Sequence, residues 1–348
     1  MMRKPPALRL RQGAAAWAAI LTLAAPCALF GQSLDIPSKK WGLSFGNSSE
    51  FTGLRFNFRD GGVRRVTGVN VTLWQPRKEN KEAVIEGLSL GPVPGGAHLR
   101  GIQLGLLGVA AENSAVGINI GGLGVGAGEN VTGINIGGLG AGTGGNMTGL
   151  NIGGIGVGAG GDLTGINLGG IGVGAGGNLT GINHGGIGVG SGKNVTGITI
   201  AGVGAGAGEN MTGLNIAGIG LGAGKRLVGL NISGLAAGAG EAVSGLTVCG
   251  LAAGSKEIRG LAIAGGVLGG EILKGIHLAG GMVHVVKDGR LVGFAGSAFN
   301  YIRGSQTGLS IGIVNYAFHV DGIQLGLVNI VRDNPKALRV LPVFNTSF

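Results

Sequence analysis

The sequence predicts an all-β repeat fold: a β-solenoid of about 16 residues per coil with aromatic-rich end caps. Three observations carry that expectation. Residues 117–244 are eight consecutive copies of one sixteen-residue unit, from GINIGGLGVGAGENVT to GLNISGLAAGAGEAVS, without an insertion or deletion. A strict period of this kind marks a stacked repeat architecture. Within each unit the apolar residues alternate at strand spacing, and neighbouring units do not differ in a way that would double the period to thirty-two.

Composition agrees. The chain has 348 residues, 81 of them Gly, with 12% charged and 4% aromatic. Collagen would need Gly at every third position and abundant Pro; there are nine Pro. Disorder fits poorly, because the Gly alternates with Ile, Leu and Val rather than with charge.

Taken in order, residues 1–32 read as a signal peptide. Arg3, Lys4, Arg9 and Arg11 form a basic start, followed by the apolar run 14–29. That run is short for a spanning helix. Cys27 follows Leu23-Ala24-Ala25-Pro26, which looks like a lipoprotein box, although Pro26 argues against lipidation. Loss of this leader removes four basic residues and no acidic ones, so the remaining chain stays basic. Its basic residues are scattered rather than clustered with aromatics, which argues against a nucleic-acid partner. Cys249 is then the one thiol left, so stability must come from stacking rather than disulfides.

Residues 33–100 read as N-terminal cap strands and loops. Six aromatics fall here (Trp41, Phe45, Phe51, Phe56, Phe58 and Trp74), and the expectation is that they cover the first coil. The Gly-apolar-x-apolar start of the repeat already shows at Gly53 and Gly68. Residues 101–275 form the Gly-rich array, stepping by sixteen and then by fifteen at Gly260 and Gly275. Residues 276–348 are degenerate repeats and a C-terminal cap, where aromatics return from Phe294 to Phe348; residues 76–293 contain none. Repeat arrays close their ends with atypical units of this kind.

Within the unit from Gly117, Ile118 and Ile120 share one parity, and Leu123, Val125 and Ala127 the other. A Gly121-Gly122 corner between them would turn all five inward, leaving Gly117, Asn119, Gly124 and Gly126 on the opposite side. Stacked coils would set Asn119, Asn135, Asn151, Asn167 and Asn183 in one file and Thr132, Thr148, Thr164, Thr180 and Thr196 in another. Such amide ladders stabilise in-register parallel sheets. An outer-membrane β-barrel and an antiparallel hairpin meander are the alternatives. A barrel should alternate its loops and carry aromatic girdles, and the array has neither; the ending Val340, Phe344, Phe348 is its one supporting feature.

Motifs for chemistry are weak. GxGxxG-like strings recur in every unit with no helix following, so the repeat explains them rather than a dinucleotide. The file Asn130, Asn146, Asp162, Asn178, Asn194, Asn210 holds one carboxylate, too few for calcium, and reads as Asn in corners. His98, His184, His277, His284 and His319 show no metal-ligand spacing. No nucleophile–base arrangement or carboxylate pair stands out, so the expectation is a non-enzyme with no catalytic, cofactor or metal residues.

The Gly-Ile-Gln-Leu-Gly-Leu segments at 101–106 and 322–327, with the ending Leu341-Pro342-Val343-Phe344-Asn345-Thr346-Ser347-Phe348, resemble a loosely defined family of exported surface-repeat proteins of Gram-negative bacteria. The resemblance implies a cell-envelope or surface location and no catalytic residues. The expected function is therefore a structural or adhesive envelope protein presenting a regular β surface to an envelope or surface partner, with peripheral or integral outer-membrane association. A membrane pore is the alternative, and ice binding by the Thr and Asn files a minor one.

Overall fold

The computed structural model describes residues 33–77 and 82–347. The leader, Cys27 and Phe348 lie outside them. Two compact units divide the chain, the first ending at Gly154 and the second beginning at Ile155. Both are stacks of parallel β coils, so each is a β-solenoid, and the barrel and the hairpin meander do not describe them.

The array coils of the first unit show the plan. One unit of sequence makes an eight-residue strand, Asn130–Gly137, and a four-residue strand, Gly140–Thr143. Bends at 138–139 and 144–145 separate them from each other and from the next coil. Gly133, at φ 116°, puts a third bend inside the long strand. A Cβ there would meet the Gly117 carbonyl oxygen of the preceding coil at 2.0 Å, so only glycine fits. Each coil then pairs in register with the last: Val131 with Met147, Asn135 with Asn151, Ile136 with Ile152. The stacking begins well before the strict repeat, with Trp41–Gly46 already parallel to Glu50–Asn57.

The second unit repeats this from Gly156–Ala159 onward. Leu163 pairs with Leu179, Leu179 with Val195, and Val195 with Met211. The register continues through Leu273 and Leu291 into the long strand Phe299–Val331, with an irregularity between Val285 and Arg290.

The faces follow the expectation on the short strand, where Val125 is buried, and reverse it on the long strand and at the corner. The interior of the array coils from Val125 to Leu179 holds one large aliphatic (Val131, Met147, Leu163, Leu179), one smaller residue (Val125, Ala141, Val157, Val173) and the Asn. The Ile pairs and the corner Leu point outward: Leu123 is 52% exposed and Ile182 43%, whereas Asn119 and Leu179 are 0% exposed. Parity does not flip at the Gly-Gly corner. Asn135, Gly137 and Ala141 all point in, and Leu139 alone is turned out at the bend. Space decides this. A Cβ on Gly137 would lie 1.9 Å from the Gly140 carbonyl oxygen, so the two strands converge and a coil this small cannot enclose five aliphatic side chains.

The ends are closed by strands rather than by aromatics. In the first unit Ser33–Pro37 runs antiparallel to Trp41–Gly46. In the second, Val340–Asn345 runs antiparallel to residues 324–330. Each covers an edge that would otherwise offer unpaired backbone groups. Phe51 is buried, but Trp41, Phe56, Phe58, Trp74, Phe318 and Phe344 are exposed on the outer surface.

Candidate functional surface

The Asn file lies inside the coils and is joined side chain to side chain. Asn119 Nδ2 donates to Asn135 Oδ1 at 2.8 Å, and Asn135 to Asn151 at 2.8 Å. In the second unit Asn167 donates to Asn183 at 2.8 Å and Asn215 to Asn231 at 2.9 Å. All of these amides are 0% exposed. Hydrogen bonding in series is what makes a polar column tolerable in a dry core. Thr199 interrupts the second run: Asn183 Nδ2, Thr199 Oγ1 and Asn215 Oδ1 lack hydrogen-bond partners.

The Thr file is exposed, with Thr132 in register with Thr148, and Thr164 with Thr180 and Thr196. The corner file of Asn and Asp is also bonded along the stack, Asn178 N donating to Asp162 Oδ1 at 2.6 Å and Asn210 Nδ2 to Asn194 Oδ1 at 2.9 Å. These contacts close turns.

Beside the Thr file, across the positive-φ glycine, lie the aliphatic files. In the first unit they are Ile118, Ile134, Leu150 and Ile120, Ile136, Ile152, in register. In the second, Ile166 is followed by Ile182, Ile198 and Leu214, and Leu168 by His184, Ile200 and Ile216. Around the bend runs a third file, whose backbone bonds Ile187 N to Ile171 O at 2.7 Å and Ile219 N to Val203 O at 2.7 Å. From Leu54 to Leu150 in the first unit, and from Ile166 to Leu278 in the second, no Lys, Arg, Asp or Glu stands in these files; His184 is their one titratable member.

Charge in the array is kept to the Thr side and the corner, and part of it is paired. Arg65 and Arg100 both reach Glu86, at 2.7 and 3.2 Å, and hold its carboxyl below the usual range, chiefly through the Arg65 hydrogen bond. Lys225 pairs with Glu209 at 3.1 Å and Arg226 with Glu241 at 3.5 Å. Arg259 and Lys274 flank Glu257 at 2.6 and 3.4 Å, lowering its pKa, with the Arg259 hydrogen bond the main cause.

The histidines do not converge. His98 shares a 2.8 Å hydrogen bond with Ser114, and His184 is exposed among the isoleucines. His277 is buried in the amide column between Ala262 and Ala295, without a partner on either ring nitrogen, and burial lowers its pKa to about 4. His284 lies against the Tyr301 ring at 5.5 Å, and His319 faces Asp333 at 3.4 Å. Cys249 is buried, which raises its thiol pKa. Among the described residues no three His, Cys, Asp or Glu side chains group as metal ligands.

Sequence reasoning missed the ion pair inside the N-terminal coils. Arg55 is fully buried, pairs with Asp60, and donates to Asn70 Oδ1 at 2.8 Å and Asn47 Oδ1 at 3.0 Å. Asp60 Oδ2 also accepts from Thr72 at 3.0 Å. Laying Gly53-Leu54-Arg55-Phe56 over Gly117-Ile118-Asn119-Ile120 puts Arg55 in the Asn column, which is the signal that could have found it. With its charge matched and buried, this cluster braces the coils and faces no solvent.

The feature with the reach to act on something outside the chain is thus the uncharged aliphatic face. No family model, curated protein or solved structure matches the chain.

Proposed function

We propose that this chain is an exported, non-enzymatic repeat protein of the cell envelope or surface, structural or adhesive, whose working part is its regular apolar β surface. The observation that carries this reading is the outward placement of three in-register aliphatic files in coils whose interior is already filled. Contiguous exposed apolar surface on this scale marks an interaction site, not a solvent face. The basic, apolar leader pattern of residues 1–32 and the resemblance to exported surface-repeat proteins support the envelope location.

The test is expression of the whole chain, leader included, in a Gram-negative host, followed by fractionation and protease treatment of intact cells. A processed product in the envelope fraction, cleaved by external protease, is expected. A full-length product retained in the cytosol would overturn the proposal.

A further inference from the structure

We infer that the aliphatic face of the second unit is a homotypic interface, covered by the same face of a second copy of this chain. The inference rests on the reading of that face as the working surface and names its partner.

Area comes first. The face runs from Ile166 through Ile182, Ile198, Leu214, Leu230, Leu246 and Leu261 to Ile276, one residue per coil. Eight coils at a strand spacing of ~4.8 Å make it about 38 Å long, and the four residues of each long strand beyond its glycine bend, 166–169 in the first, at ~3.3 Å per residue make it about 13 Å wide. The footprint is about 500 Å² on each copy, so two facing copies bury about 1,000 Å², the scale at which specific interfaces begin.

Chemistry then selects the occupant. Apart from His184, the rows are branched aliphatics at one repeated spacing, so the ridges of one copy fit the grooves of another turned by a two-fold axis. Paired sheets of this kind interdigitate as dry zippers. A lipid surface would call for different residues. Interfacial Trp and Tyr anchor proteins at bilayers; the eight coils from Ile166 to Ile276 have no aromatic, and the file meets its first, Phe294, one coil further on. Of the basic residues in these coils, Lys225, Arg226, Arg259 and Lys274 are paired with Glu209, Glu241 and Glu257, which leaves only Lys193 and Lys256 for anionic headgroups.

Sedimentation velocity on the purified full chain should show a concentration-dependent dimer. Ile166→Lys/Ile198→Lys should weaken it by roughly 100-fold or more, with the β circular dichroism spectrum unchanged, because two unpaired ammonium groups from each copy enter a dry interface. As a second readout on an otherwise native chain, Ile182→Cys should be captured as a covalent dimer by a short bismaleimide, and Lys193→Cys at the polar corner should not. A monomer at tens of micromolar together with no Ile182→Cys capture would overturn the proposal. So would a monomer that floats with phosphatidylcholine–phosphatidylglycerol vesicles, which would assign the face to lipid. Envelope location is scored separately by fractionation, so failure of self-association leaves that reading intact.

Discussion

Asn119 donates its side-chain amide to Asn135 Oδ1 at 2.8 Å, across two successive coils and inside the core. The direction is constant: Nδ2 of one coil to Oδ1 of the next. A buried amide column of this kind specifies the stacking register, because a slip of one residue would replace each Asn by an aliphatic and strand the remaining amides.

The break at Thr199 should therefore be repairable. Thr199→Asn supplies an acceptor for Asn183 Nδ2 and a donor for Asn215 Oδ1, the two amide atoms now lacking partners. Two restored buried hydrogen bonds should add about 1–2 kcal/mol. Thermal unfolding would show it as a higher midpoint; an unchanged or lower midpoint would mean that the column does not close over an Asn there.

The inverted faces separate neighbouring residues sharply. Leu179 is fully buried, and Leu179→Asp would strand a carboxylate in the coil; a loss of more than about 4 kcal/mol is expected. Ile182, three residues on, faces outward, and Ile182→Asp should cost about 1 kcal/mol, the range of strand preference. Urea midpoints measured at low protein concentration check both, and equal losses would contradict the assignment of faces.

Two glycines of successive coils should likewise differ. Gly181 sits at φ 113°, and a Cβ would lie 2.1 Å from the Gly165 carbonyl oxygen, so Gly181→Ala should lose at least about 3 kcal/mol. At Gly174 nothing lies within 4 Å of an added Cβ, and Gly174→Ala should be neutral or stabilising by about 0.4–1 kcal/mol through the unfolded chain. Chemical denaturation of the pair reads the contrast directly.

His277 predicts an acid limb. Its pKa is lowered from 6.5 to about 4 by burial, so the folded state holds it neutral while the unfolded state protonates it first. Its contribution is present above pH 6.5 and is lost as the pH falls from 6.5 to about 4, on the order of 3 kcal/mol in all. His277→Met, which cannot titrate, should flatten that part of the stability–pH curve. An identical slope in the variant would show that another group is responsible.

The sequence by itself determined the coil. The sixteen-residue period, the glycine opening each unit and the bend after Gly121 are local facts, and stacking identical units in register follows from them without knowledge of what lies where. The Asn and Thr files were legible for the same reason: a constant period places equal residues above one another whatever direction they face. Only the tertiary structure decided which side is inside. Alternation assigns Ile134 and Asn135 to opposite faces but is silent on which is buried, and hydrophobicity alone points to the wrong one. The choice depends on the clearance between strands that converge at Gly137 and Gly140, which leaves room for one large aliphatic, a smaller residue and an amide, and on the hydrogen bond that amide finds one coil away. Both are distances between residues of different strands or coils. Enclosed volume and partner distance set the cost of burying a polar group, and so it was the closing of the coil that turned the isoleucines out to make the surface this protein presents.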